Sequence, residues 1–212
     1  MLAMSDIALP YFLARPASAV TAGVVVIHEG GGISPQLLRV CQRLADEGYA
    51  TVAPDLFFRV GGTGASDFAT LIGSLDRTAT AADLSESAAH LRALGATKVG
   101  ITGFCMGGSY AYLAAVSGVD VDAAAPFYGG GIAQHLGDPY VPLLCFFGGN
   151  DEWIPRADIA VVEQAHPGQV VVYEHAGHGF FRDGSDRYDE AAASDAWQRV
   201  LAFFAEHLKL PA

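Results

Sequence analysis

Cys105 lies in the run Gly103-Phe104-Cys105-Met106-Gly107-Gly108, with a glycine two residues away on each side. Residues 98–102 read as a buried strand, and a helix begins just after the cysteine. A residue held at such a strand-to-helix turn follows the nucleophile-elbow pattern, here with Cys in place of Ser. Flanking glycines let strand and helix approach closely, and the helix N-terminus favours thiolate over thiol. The chemistry this suits is attack on an ester-like carbonyl, with the Met106 amide donating to the developing oxyanion. The other two cysteines read differently. Cys41 falls on the apolar stripe of a helix and Cys145 inside a strand, as small buried hydrophobes do.

A thiol nucleophile needs a base, and the base needs an orienting group. Asp151 follows a buried strand in Gly148-Gly149-Asn150-Asp151-Glu152-Trp153, and His178 follows the last strand in His175-Ala-Gly-His178-Gly-Phe180. The order nucleophile, acid, histidine is that of α/β-hydrolases. Spacing alone leaves Glu152 and His175 open as substitutes. The two histidines do not form a helical metal pair, and neither a cysteine pair nor a carboxylate cluster completes a site, so no metal is expected. His28-Glu29-Gly30-Gly31-Gly32 follows the first buried strand. A Gly-rich loop there supplies a second oxyanion donor, and the Gly30 amide is the candidate. Glu29 is a carboxylate at a strand end facing the expected pocket; it could equally be a capping or surface acid.

The positioning elements alternate. Val24-Val25-Val26-Ile27 is a strand buried on both faces. Ser34 and Pro35 cap and start a helix with Leu37, Leu38, Cys41 and Leu44 at helical spacing, ended by Gly48. Residues 50–53 form a strand, and Leu84, Ala88, Leu91 and Leu94 mark a helix. Residues 123–128, 143–147 and 170–173 read as strands, and 155–164 as a helix. A final helix carries Ala193, Trp197, Val200, Phe204 and Leu208 on one face. Such alternation predicts an α/β fold: a mostly parallel sheet with helices on both faces, in one domain spanning 1–212. Ligands then bind beyond the carboxyl ends of the strands. The segment 61–75 is the place for a mobile lid.

The chain has 212 residues and a formal net charge of −11. Its few basic residues are scattered, which argues against nucleic acid or anionic membranes as partners. No run has the length of a membrane span, and residues 1–10 lack the features of a signal peptide. Three cysteines without paired spacing fit a reducing cytoplasm. No cofactor is implied, and the expected state is a monomer or weak homo-oligomer.

The sequence resembles the dienelactone hydrolase family over nearly its whole length. The resemblance rests on Val-Val-Val-Ile-His-Glu at 24–29, Ala-Pro-Asp-Leu-Phe at 53–57 and Gly-Phe-Cys-Met-Gly-Gly at 103–108. It extends to Phe-Tyr-Gly-Gly-Gly at 127–131, Gly-Gly-Asn-Asp at 148–151 and Gly-His-Gly-Phe at 177–180. It implies an α/β-hydrolase fold and a triad of Cys105, His178 and Asp151. Glu29 would be the acid beside the thiol, holding or deprotonating it according to whether substrate is bound. Arg182 matches an arginine that helps bind a substrate carboxylate, and Tyr128 would line the pocket. Two departures stand out. A second carboxylate-binding arginine of the family has no aligned partner, although Arg59 and Arg77 are near. After Glu29 this chain has only glycine where the family has larger residues, which predicts a more open wall. The expected activity is cleavage of a lactone or small carboxylic ester. The alternatives are a broader carboxylesterase, or a binding or redox-sensing protein that keeps the fold.

Overall fold

The computed structural model describes residues 9–208, so most of the segment read for a leader lies outside it. The elements are β1 (Tyr11–Ala14), β2 (Ala22–Ile27), α1 (Pro35–Asp46), β3 (Ala50–Pro54), α2 (Phe68–Gly73), α3 (Arg77–Ala93) and β4 (Lys98–Phe104). They continue with α4 (Met106–Ser117), β5 (Ala123–Phe127), β6 (Cys145–Gly148), α5 (Arg156–Ala165), β7 (Val170–Tyr173) and α6 (Glu190–Leu208). The strands form one seven-stranded sheet in the order β1-β3-β2-β4-β5-β6-β7. β1 runs antiparallel to β3, and all other neighbours are parallel. This is the mostly parallel α/β sheet that the alternation of strands and helices implied.

β4 is the middle strand, and its two faces show which helices cover which side. Successive side chains on a strand point to opposite faces. A Cβ on Gly100 would meet Phe204 and Leu208 of α6, whereas one on Gly103 would meet Gly107 of α4. α6 therefore covers one face and α4 the other. α1 lies beside α6, where Arg43 stacks over the Trp197 ring 3.9 Å from its centroid. α3 lies on the α4 side, where Leu91 packs onto Gly23 of β2.

The local signals act where they were read. The Ser34 side chain accepts from the Leu37 amide at 3.2 Å with Pro35 in the first turn of α1, and Gly48 takes φ +97° beyond its end. Val24, Val25, Val26 and Ile27 are fully buried, as a strand covered on both faces requires. The structure adds two elements. β1 is a four-residue edge strand without apolar alternation, stabilised by its pairing to β3. α2 is a six-residue helix inside the segment read as a loop, N-capped by the Asp67 side chain, which accepts from Thr70. Leu143, read as strand, makes only an isolated bridge to Ala124, and β6 begins at Cys145.

Phe204 is fully buried and fills the space over Gly100. Phe204→Ala should lower unfolding free energy by about 3–5 kcal/mol in a denaturant titration, since such a cavity cannot fully collapse.

Candidate active site

The site begins with a close approach of backbone to backbone. A Cβ on Gly103 would sit 2.2 Å from the Gly107 carbonyl oxygen, one on Gly107 2.5 Å from that of Ile27, and one on Gly108 2.2 Å from that of Phe127. No side chain fits at these positions. α4 therefore starts directly against β2, β4 and β5, with Cys105 above the sheet at φ 54°, ψ −118°. Among the described residues, Cys105 and Tyr128 (φ 36°) are the non-glycine residues with positive φ. Each such conformation costs on the order of 1–3 kcal/mol and persists only where its surroundings impose it. The Cys105 amide donates to the Phe127 carbonyl at 3.1 Å, and the Tyr128 amide to that of Phe146 at 2.7 Å. Both strained residues are thus tied into the sheet. Cys105 is half-buried, while Cys41 and Cys145 are fully buried, with burial pushing the Cys41 thiol up to about 12.

Asp151 and His178 come from the ends of β6 and β7. Their loops are held together by the Asn150 amide, which donates to the Ala176 carbonyl at 3.0 Å. The Asp151 side chain is completely buried. Its Oδ1 accepts from the Trp153 and Ile154 amides at 2.8 and 2.9 Å, and its Oδ2 accepts from His178 Nδ1 at 2.8 Å. Both carboxylate oxygens are therefore occupied and the imidazole is fixed in one orientation. His178 Nε2 is buried and makes no well-aligned hydrogen bond, and the group it interacts with on that side is Cys105. Loose alignment of this kind is usual before substrate binds. Burial alone would lower the His178 pKa, but the bond to Asp151 and the interaction with Cys105 outweigh it and raise the value to about 9. Of the substitutes that spacing left open, Glu152 is exposed and ion-paired to Arg187, and His175 is exposed.

Glu29, Arg182 and Tyr128 form a second cluster. Arg182 pairs with one carboxylate oxygen of Glu29, and the Tyr128 hydroxyl donates to the other at 3.3 Å. Tyr128 is fully buried, and its hydroxyl is held well above the usual phenol range by that burial and by the Glu29 charge. Its ring meets the His178 ring edge-on at 5.1 Å. Beneath this cluster His28 is buried and kept neutral by desolvation. Its Nε2 accepts from the Leu56 amide at 3.1 Å and its Nδ1 donates to the Glu29 carbonyl at 2.7 Å, which anchors the loop that carries Gly30.

A cleft of about 350 Å³ opens over the thiol. Met106 begins α4, and first-turn amides of a helix have no acceptor within it. The wall after Glu29 is left open only in part. Phe68 and Ile72 of α2 fill the space a side chain on Gly30 would take and Thr63 that on Gly32, whereas a Cβ on Gly31 would meet nothing within 4 Å. Phe68, 60% exposed, and Trp153, 57% exposed, face the cleft, and Trp153 lies 4.4 Å from the His178 ring between centroids. Trp153 stood beside Asp151 in the sequence, but nothing in its spacing announced a role. Of the two arginines considered, Arg59 is held by Asp83 at 2.6 and 2.8 Å, while Arg77 lines the cleft and contacts His135.

A mostly parallel sheet with a strand-to-helix turn at Cys105, and with Asp151 and His178 at successive strand ends, is the architecture of an α/β-hydrolase enzyme. Residues 9–208 match the model of the dienelactone hydrolase family. The chain belongs to that family. It is 33% identical over 226 residues to a "Putative carboxymethylenebutenolidase" of Salmonella typhimurium, covering 94% of this chain and 83% of that protein. It is 34% identical over 208 residues to a carboxymethylenebutenolidase of Pseudomonas putida, covering 90% and 88% respectively. A crystal structure titled "Putative Dienelactone Hydrolase", from Klebsiella pneumoniae, superposes with a TM-score of 0.84 at 32% identity, covering 94% of this chain and 93% of that one.

The raised pKa of His178 sets a pH dependence. The imidazolium is present below about 9 and is lost as pH rises through that value. Since the leaving alkoxide needs a proton, kcat/KM for a neutral ester should fall on the alkaline side with a midpoint near 9. Asp151→Asn removes the main support, so this limb should move to lower pH while turnover drops on the order of a hundredfold or more. An unmoved limb would show that Asp151 does not control the imidazole.

Proposed function

We propose that this protein hydrolyses a lactone or small carboxylic ester through a thioester on Cys105. The observation that carries this reading is the placement of His178, locked by Asp151 on one side and turned toward Cys105 on the other. Cys105 gives its proton to His178, and the resulting thiolate attacks the acyl carbon. The oxyanion is met by the amides of Met106 and Gly30. Collapse breaks the acyl–oxygen bond and the His178 imidazolium protonates the departing alkoxide, which in a lactone stays tethered to the acyl group. Water, deprotonated by His178, then attacks the thioester, releasing the carboxylic acid and restoring the thiol.

Glu29 and Arg182 suit a substrate that carries its own carboxylate. Such a group competes with Glu29 for Arg182, and a displaced Glu29 is free to take the thiol proton. Activation would then be tied to occupancy. Tyr128 would hold Glu29 in the empty site, and Arg77 is the second cation near enough to meet an anionic substrate. The three unpaired cysteines support a cytoplasmic location, and the acidic surface supports a small-molecule substrate rather than nucleic acid.

Turnover of a panel of aryl esters and lactones, dienelactone among them, tests the reaction. Cys105→Ala should lower it by a factor on the order of 10³ or more while the thermal transition stays cooperative. Wild-type enzyme quenched during turnover should carry an acyl mass on the peptide containing Cys105. Undiminished turnover by the variant would sink the mechanism, and a reactive thiol that never acquires an acyl group would favour a sensing or binding protein instead.

Glu29→Gln keeps an acceptor for Tyr128 but removes the charge facing Arg182. For a carboxylate-bearing ester, KM should fall and kcat should drop about tenfold or more. Equal effects on neutral and anionic esters would argue against the displacement step.

A further inference from the structure

The catalytic cleft does not end at the nucleophile. Between α3 and α4 lies a second cavity of about 290 Å³ that shares Arg77, Tyr110 and Leu113 with the cleft over Cys105. The two spaces are therefore adjacent and meet at these three side chains. The added stretch is apolar and shallow-sided, because α3 contributes Thr78, Ala81 and Leu84 and α4 contributes Ala114 and Ser117, mostly small side chains. Ser109, Tyr110, Leu113, Ala114 and Ser117 follow one another along one flank of α4. With a rise of 1.5 Å per residue, the groove reaches about 18 Å from Cys105 at its far end. Tyr110 stands at the junction, half-buried. Beyond Arg77 no charged side chain lines the groove.

Nothing in the hydrolytic chemistry requires this space. A polar ligand would find few partners there, and a bulky branched one would meet Tyr110 and Leu113 at the entrance. We propose that the groove is a substrate subsite for an unbranched apolar arm of the ester, which makes this enzyme prefer alkyl chains longer than the cleft over Cys105 can hold. This assignment rests on the ester-hydrolase reading and names the substrate class for it. The arm could belong to the acyl or to the alcohol side of the scissile bond, and both present the same methylene chain.

Two series separate those sources: p-nitrophenyl esters from acetate to decanoate, and straight-chain alkyl acetates. In one of them kcat/KM should rise roughly threefold to fourfold per added methylene before levelling off, the change lying mainly in KM. Ala81→Phe and, independently, Ser117→Phe fill the groove from opposite helices. Each should cut the ratio of long-chain to short-chain kcat/KM about tenfold or more, with a cooperative thermal transition showing that the fold is kept. A flat profile in both series, or a ratio untouched by both variants, overturns the subsite. If wild-type enzyme cleaves no ester at all, calorimetric titration with decanoate decides. Binding that Ala81→Phe weakens would keep the groove and overturn the hydrolase reading, and no binding would overturn both.

Discussion

The structure depends on one constraint: α4 starts where no side chain can fit. Gly103, Gly107 and Gly108 each bring a backbone carbonyl within 2.5 Å of where a Cβ would be. With the helix pressed against three strands at once, the connecting residue has no relaxed conformation available, and Cys105 is held at a positive φ. The same contact aligns neighbouring parts. Gly107 abuts Ile27 and His28, just before Glu29 and Gly30, and Gly108 abuts Phe127, just before Tyr128. Cys105, the loop carrying Gly30 and the buried Tyr128 are thus registered on one packed junction. Strain at Cys105 and Tyr128 is stored there and compensated by the sheet around them.

Charge in the site is arranged in two layers with different rigidity. Asp151 is fully buried with three donors, so it cannot turn away from His178. Glu29 is held by an arginine that is one-third exposed and by a single long hydrogen bond. An arriving anion can compete for the second arrangement but has no access to the first. His178 is therefore preset, while Glu29 is exchangeable.

Much of this was legible in the residues, for identifiable reasons. The buried strands showed as continuous β-branched runs, α1 as a capped amphipathic stripe, and the elbow as glycines around a cysteine. Each is a local signal with a local cause. β1 escaped because an edge strand needs only a partner, and its partner β3 lies far along the chain. α2 escaped because six residues are too few for a periodic pattern. At the site, the order of Cys105, Asp151 and His178 was readable, but spacing could not separate His178 from His175 or Asp151 from Glu152. Those choices are made by tertiary contacts, namely the bond between the β6 and β7 loops and the pairing of Glu152 with Arg187. The glycines after Glu29 suggested an open wall; the filling residues, Phe68 and Ile72, come from some forty residues away.

That filling has a consequence of its own. Phe68 lies where a Gly30 side chain would be, its ring 2.3 Å from the ideal Cβ position, so α2 rests directly on the loop proposed to supply an oxyanion donor. The segment covering the cleft is then also the seat of that proposed donor. In the proposed mechanism, exchanging α2 to admit a different substrate would disturb the donor it supports, which would couple selectivity mechanically to rate acceleration. Variants that broaden access through α2 should have to regain their catalytic power by changes on the Gly30 side.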